Sequence, residues 1–150
     1  MSVTNYLTSF AVGENPLGIE EYRRRGGFRG LETAMGMPPS RVVDTVREAR
    51  LAGRGGAGFD TGTKWSTVPA GEEVYVVCNA DEGEPGTFKD RFLLEKAPFL
   101  VIEGLAIAAY AVGARKAFIY IRGEYPVARE RVEEAARALE EAGFPASFGH

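Results

Sequence analysis

The sequence predicts a three-layer α/β domain with a mainly parallel sheet. Two short runs rich in β-formers, residues 74–78 and 116–122, are separated by two helical stretches, and an amphipathic helix follows the second run. A strand, a helical crossover and a second strand almost always pair in parallel with a right-handed connection. Because the centres of both runs are continuously apolar, we expect both faces of these strands to be buried.

The chain before the first strand divides into an arm and the start of the domain. Glycine, asparagine and proline punctuate residues 1–18 without a clear period, so we expect an irregular arm there and assign residues 19–150 to one α/β domain. Short helices are predicted over residues 19–25 and 31–35, because glycines follow both. A longer helix is predicted over residues 39–52, where a proline and a serine favour a helix start.

Three further helices are predicted after the first strand. They cover residues 89–95, 98–112 and 127–142, and Gly143 ends the last of them. The apolar stretch over residues 98–114 contains a glutamate and is shorter than the ~20 residues that a bilayer span requires. We therefore expect a buried helix and no membrane span.

Composition excludes several classes of function. The net charge of −3 and the pI near 5.3 argue against nucleic-acid binding. The single cysteine, Cys78, excludes a disulfide within the chain and a metal cluster held by cysteines of this chain alone. The N-terminus has neither a positive region nor a sustained apolar run, so we expect no export signal.

A glycine-rich loop at residues 53–65 is the first candidate site, with five glycines in its first ten residues. Such a loop can turn successive N–H groups toward one point and so suits phosphate oxygens, and Lys64 adds a positive charge. A dinucleotide fingerprint is excluded because a helix precedes the loop, and a P-loop because Thr63 separates Gly62 from the lysine. An ordinary glycine-rich surface loop remains an alternative.

An acidic loop at residues 79–87 is the second candidate site, because it lies at the carboxyl end of the first strand, where open α/β sheets bind ligands. Its carboxylates would repel phosphate, so we expect Asn79, Asp81 and Glu84 to face hydroxyl groups or ring edges of a nucleotide whose phosphate lies at the glycine-rich loop. A divalent-cation site and a solvated acidic turn are the alternatives. Residues 122–125 are a third feature, because they follow the second strand and are expected at the same edge of the sheet, and an ordinary strand-to-helix turn is the alternative.

Four motifs, taken in their order along the chain, resemble those of a known family. Residues 53–66, 78–91, 102–104 and 121–125 resemble the flavin-bearing, NADH-oxidising subunit of respiratory complex I, and related diaphorase subunits of NAD-linked hydrogenases and formate dehydrogenases share these motifs. The resemblance implies the N-terminal portion of a Rossmann-like FMN-binding domain whose sheet is incomplete on its C-terminal side. The chain departs from the family at Asp60, where proline or serine is common, and at Thr67, where some members have an aromatic residue.

The function that the resemblance implies is that of part of an NADH:quinone oxidoreductase. FMN and NAD(H) are the implied cofactors, and the flavin accepts hydride from NADH for onward transfer to iron–sulfur centres and quinone. The implied partners are other peripheral-arm subunits, including an iron–sulfur subunit, on the cytoplasmic face of the inner membrane. A diaphorase subunit, or a truncated scaffold without catalysis, is the alternative.

The resemblance also implies a set of site residues. Glu84 and Phe59 are expected to bind NADH, with Glu84 positioning it and the flavin accepting the hydride. No residue is assigned to a metal, and the 4Fe–4S cluster of the family has no ligands in this chain. The residues expected to contact the flavin or its surroundings are Gly53, Arg54, Gly55, Gly56, Gly62, Lys64, Asn79, Asp81, Glu82 and Gly83.

Overall fold

The computed structural model describes residues 7–69, 71 and 73–144. The order of the elements is the predicted one, with one helix added after the glycine-rich loop. The elements are α1 (Ile19–Arg24), α2 (Arg29–Met35), α3 (Pro39–Glu48), α4 (Thr61–Ser66), β1 (Tyr75–Ala80), α5 (Lys89–Lys96), α6 (Pro98–Val112), β2 (Lys116–Ile121) and α7 (Pro126–Glu141).

The two strands pair in parallel, and α5 and α6 form the crossover between them. The predicted α/β class is therefore confirmed. The expectation that both faces of the strands are buried is wrong, because alternate side chains are exposed: 47% for Tyr75, 58% for Val77, 50% for Phe118 and 59% for Tyr120. An apolar run reports β propensity, but it does not report whether both sides of a strand are covered.

Contacts divide the chain into two units, the first formed by residues 1–28, 79–103 and 119–150 as far as they are described. Its core is built by α1, α5, the first half of α6 and α7. Tyr22 and Phe28 pack edge to face with ring centroids 4.8 Å apart. Glu103 is buried in this apolar surrounding and accepts hydrogen bonds from the Tyr22 hydroxyl at 2.5 Å and the Phe28 amide at 2.8 Å. Burial and this hydrogen bond raise the pKa of Tyr22.

The second unit comprises residues 29–78 and 104–118. Val42 and Val43 of α3 form its core with Ala34 and Ala111, and Trp65 packs against them. Helices α3 and α4 approach each other closely at Gly62, where an added Cβ would lie 2.4 Å from the Arg47 Cα. The sequence thus uses glycine where two helices leave no room for a side chain.

The predicted N-terminal arm is described from residue 7 onwards, and residues 7–18 form neither helix nor strand. Phe10 and Leu17 nevertheless pack against the core of the first unit. The division into an arm and one domain over residues 19–150 stays a prediction, and residues 1–6 and 145–150 lie outside the described part. Within the described residues, no helix combines the length and the apolar composition that crossing a bilayer requires.

Candidate functional site

The glycine-rich loop projects from a short antiparallel neck. Ala52 and Asp60 form a β-bridge, and the Gly53 amide donates to the Phe59 carbonyl at 2.8 Å. The Thr61 amide donates to the Leu51 carbonyl, also at 2.8 Å. Residues 53–59 between the two sides of the neck are all exposed. The neck therefore holds the ends of the loop and leaves its backbone open to solvent.

Two glycines of the loop adopt backbone angles that favour glycine, and a third lies in open space. Gly56 and Gly58 have φ values of +109° and +63°, in the left-handed region that favours glycine. A Cβ added to Gly55 or Gly56 would meet no atom within 4 Å. Internal packing therefore does not explain the glycine at position 55, whereas close approach by a bound molecule would.

Two exposed cations belong to this stretch of the chain. Arg54 lies in the loop and Lys64 in the last turn of α4, and both are exposed. Among the described residues, neither side chain has a carboxylate partner. Their charges are therefore available to an anion.

Asp60 carries a structural role that the sequence reading missed. Its carboxylate caps α4 by accepting from the Thr63 amide at 2.6 Å. Hydrogen bonds from the hydroxyl and the amide of Thr63 lower the pKa of Asp60. The unusual charge at this position thus orients the helix that carries Lys64. The signal was an aspartate at a helix start, hidden because the helix is short and contains glycine.

The predicted flavin contact at Gly62 stays a prediction. This glycine is buried, and its contact with the backbone of Arg47 suffices to explain why no side chain is present. By contrast, Phe59 is 58% exposed at the base of the loop, as a residue that receives a ligand must be.

In the acidic loop of the first unit, two carboxylates are exposed to solvent and one is buried. Asn79, Asp81, Gly83 and Glu84 are exposed, and the Asn79 side chain accepts from the Asp81 amide at 3.0 Å. Glu82 is only 4% exposed. The loop therefore offers two outward carboxylates, from Asp81 and Glu84, on either side of a residue that points inward.

The Glu82 carboxylate is taken up by the N-terminus of α5. It accepts from the Asp90 amide at 2.9 Å and from the Arg91 amide at 3.2 Å. Burial alone would raise the pKa of Glu82, but these amide hydrogen bonds and the charge of Lys89 outweigh it, so the pKa lies below the usual range. The predicted flavin contact at Glu82 stays a prediction, and the structure adds that its carboxylate already accepts from two amides at the start of α5.

Residues 122–125 are more than a turn. Arg122 Nη1 donates to the backbone carbonyl of Glu82 at 2.5 Å, while Nε and Nη2 donate to the Glu124 carboxylate at 3.3 and 3.2 Å. The hydrogen bond to Glu124 raises the pKa of Arg122. The guanidinium groups of Arg91 and Arg122 each lie 5.5 Å from the centroid of the Tyr125 ring. The sequence signal was present, since this stretch is one of the four family motifs.

The predicted site residues thus fall into two groups. The loop over residues 53–59 and Lys64 belong to the second unit, and the acidic loop with Arg122 belongs to the first. In the described residues, no three histidine, cysteine or acidic side chains are grouped so that they could hold a metal ion. A cation site in the acidic loop would in any case lack Glu82, whose carboxylate is already bonded.

Known proteins resemble this chain over most of its length. The profile of the Nuo51 FMN-binding domain family matches residues 46–147. A subunit of the NADH-quinone oxidoreductase of Rhizobium meliloti is 53% identical over a 129-residue alignment that covers 84% of this chain and 31% of that protein. The corresponding subunit of the Aquifex aeolicus NADH-quinone oxidoreductase is 51% identical over a 138-residue alignment that covers 89% of this chain and 32% of that protein. These matches confirm the resemblance drawn from the four motifs.

Hydrogenase proteins are similar as well. The alpha subunit of the NAD-reducing hydrogenase HoxS of Cupriavidus necator is 48% identical over a 125-residue alignment that covers 81% of this chain and 21% of that protein. The crystal structure of an NAD+-reducing [NiFe]-hydrogenase in its air-oxidised state superposes with a TM-score of 0.71 and 35% identity, over 93% of this chain and 26% of that chain. The chain spans about a third of the length of its quinone-oxidoreductase relatives.

Proposed function

The chain belongs to the Nuo51 FMN-binding domain family, and from this premise we propose that it binds FMN and NADH as part of the flavoprotein subunit of a complex I-like NADH:quinone oxidoreductase. The single observation that carries the proposal is the exposed glycine-rich loop, with Arg54 within it and Lys64 in the helix that follows it. Its backbone is open at Gly55 and Gly56, and Arg54 and Lys64 have no carboxylate partner in the described residues. A phosphate monoester needs amide donors and positive charge, and this loop offers both.

The acidic loop fits the remainder of a flavin nucleotide. Asn79 and Asp81 are exposed acceptors that suit the hydroxyl groups of a polyol chain or the N–H edge of a ring. We propose that Gly53, Arg54, Gly55, Gly56 and Lys64 hold the phosphate end while Asn79, Asp81 and Gly83 hold the other end.

NADH would contact Phe59 and Glu84, the two exposed site residues not assigned to FMN. The Phe59 ring offers an apolar face for a nucleotide base or ring, and the Glu84 carboxylate accepts hydrogen bonds from hydroxyl groups. When bound, the flavin supplies the ring that accepts hydride. The chain itself binds and orients the two nucleotides, and Glu84 fixes the position of NADH.

The wider setting is inferred from the relatives. Those named above are subunits of NADH-quinone oxidoreductases and of a NAD-reducing hydrogenase. We propose that this chain likewise works with an iron–sulfur subunit in a peripheral arm on the cytoplasmic side of the membrane. A diaphorase of a NAD-linked hydrogenase is the second candidate, favoured by the 48% identity to HoxS and by the superposition on a hydrogenase.

Titration of the chain with FMN, followed by quenching of flavin fluorescence, tests the proposal. We expect Arg54→Gln and Lys64→Gln each to weaken FMN binding about tenfold, because each removes one charge-assisted contact to the phosphate. Arg41→Gln is the matched control, since Arg41 is an exposed arginine of α3 that pairs with Glu48. Retention of full affinity in both variants would refute the phosphate site, and bleaching of bound flavin by NADH would support the second nucleotide.

A further inference from the structure

The acidic loop is anchored at one residue, Glu82, from two directions. The carboxylate of Glu82 is bound by the amides of Asp90 and Arg91 at the start of α5. Its backbone carbonyl is bound by Arg122, which directly follows the last residue of β2. Two elements that are distant in sequence thus fix both ends of the same residue.

The guanidinium of Arg122 is well suited to fix a carbonyl in place. Nη1 donates to the Glu82 oxygen at 2.5 Å, and Glu124 binds Nε and Nη2, so the plane of the group is set by three hydrogen bonds. The Arg122 side chain is 28% exposed. A planar fork held in this way is better preorganised than a lysine ammonium, which would supply one mobile donor.

Tyr125 joins the two anchors. Its ring lies within 5.5 Å of the guanidinium groups of both Arg91 and Arg122. Its hydroxyl donates to Glu82 Oε2 at 3.4 Å, the oxygen that the Arg91 amide also binds. The anchors at the carboxylate and at the carbonyl are therefore parts of one network.

The loop has few other restraints. Within it, the Gly83 amide donates to the Asp81 carbonyl and the Thr87 amide to the Glu84 carbonyl, both at 3.1 Å. Gly83 and Gly86 add backbone freedom, and Gly86 has a φ of +82°. The outward direction of Asp81 and Glu84 consequently depends on how firmly Glu82, which lies between them, is held.

We propose that Arg122 is a positioning residue that sets the direction of the nucleotide-facing Asp81 and Glu84 by holding the Glu82 carbonyl. The inference rests on the proposed function for the identity of the ligand, and on the hydrogen-bond network alone for the restraint on the loop. Nucleotide affinity therefore depends on a side chain that does not itself touch the nucleotide.

Three variants of the chain test the proposal: Arg122→Gln, Arg122→Lys and the control Arg129→Gln. Arg129 is an exposed arginine of α7 that pairs only with Glu133 among the described residues. The measurements are the FMN dissociation constant from fluorescence quenching, and amide hydrogen exchange at Gly83 and Thr87 compared with the amides of α7. We expect Arg122→Gln to weaken FMN binding about tenfold, because the charge-assisted hydrogen bond that holds the Glu82 carbonyl is lost.

The exchange data separate positioning from a general loss of structure. Arg122→Gln should speed exchange at Gly83 and Thr87 and leave α7 unchanged, Arg122→Lys should recover part of both effects, and Arg129→Gln should match the parent. Unchanged loop exchange, or equal acceleration in the loop and in α7, would overturn the proposal. If the parent bound no FMN, the proposed function would fail, while loop-specific acceleration would still establish that Arg122 positions the loop.

Discussion

Glu82 is the one acid of the acidic loop that is turned away from solvent. Its carboxylate is almost completely buried, yet its pKa is lowered, because two helix amides and the Lys89 charge compensate for the lost hydration. This carboxylate stabilises the folded chain only while it is ionised. Glu82 therefore links the stability of the chain to pH.

The first prediction concerns this linkage. Since the folded chain holds Glu82 below the ordinary glutamate pKa of 4.5, its stabilisation is complete above that pH and is lost as the pH falls through the lower pKa of the folded state. We expect the parent to be more stable than Glu82→Gln near pH 7 and this difference to shrink on acidification. Urea unfolding between pH 7 and pH 3 measures it.

Glu84→Gln provides the matched control for this titration. It removes an exposed carboxylate from the same loop and leaves the contacts of α5 in place. If Glu82→Gln lowered stability no more than Glu84→Gln at neutral pH, the buried carboxylate would not be the stabilising group.

One physical difference separates the features that could be predicted from the sequence from those that could not. The exposed glycines, Lys64 and the outward acids could be proposed as site residues from the sequence because residue type alone indicates their chemistry. The burial of Glu82 and its bond to Arg122 join positions 40 residues apart, and no local pattern reports such a contact. Asp60 was noticed only as a departure from the family, although its neighbours make it a helix cap.

At the scale of elements, the close approach of α3 and α4 gives the second prediction. Gly62→Ala would place a Cβ 2.4 Å from the Arg47 backbone, so the two helices must move apart. We expect a loss of about 1–3 kcal/mol in the free energy of unfolding. Chemical denaturation followed by circular dichroism measures this loss.

Gly104→Ala is the corresponding control, because Gly104 lies within α6 and an added Cβ there meets no atom within 4 Å. Replacing a helical glycine by alanine stabilises by up to about 1 kcal/mol. Equal losses for the two variants would show that the helix contact at Gly62 is not the cause.

The boundaries of the elements show where sequence patterns stop being informative. The helix predicted over residues 39–52 ends at Glu48, because Arg50 takes a φ of +51° and Leu51 enters the neck of the loop. Helix α4 was missed because six residues that include a glycine give a weak helical signal. The strands, which are rich in β-branched and aromatic residues, were located closely.

At the scale of the whole molecule, the sheet carries an open apolar side. Val77 is 58% exposed there, whereas Leu94 in the core of the first unit is 1% exposed. We expect Val77→Thr to change the free energy of unfolding by less than about 0.5 kcal/mol and Leu94→Ala to lower it by about 2–5 kcal/mol. Denaturant titration of both variants decides this, and a large loss for Val77→Thr would mean that this side is covered.

The fluorescence of Trp65 reports on one of the two units. It is the single tryptophan of the chain, and it packs against Val42 and Val43 in the second unit. Its emission therefore follows the opening of that unit alone, whereas far-ultraviolet circular dichroism sums the helices of both. Coincident curves from the two probes would mark a single cooperative transition, and separated curves would give each unit its own midpoint.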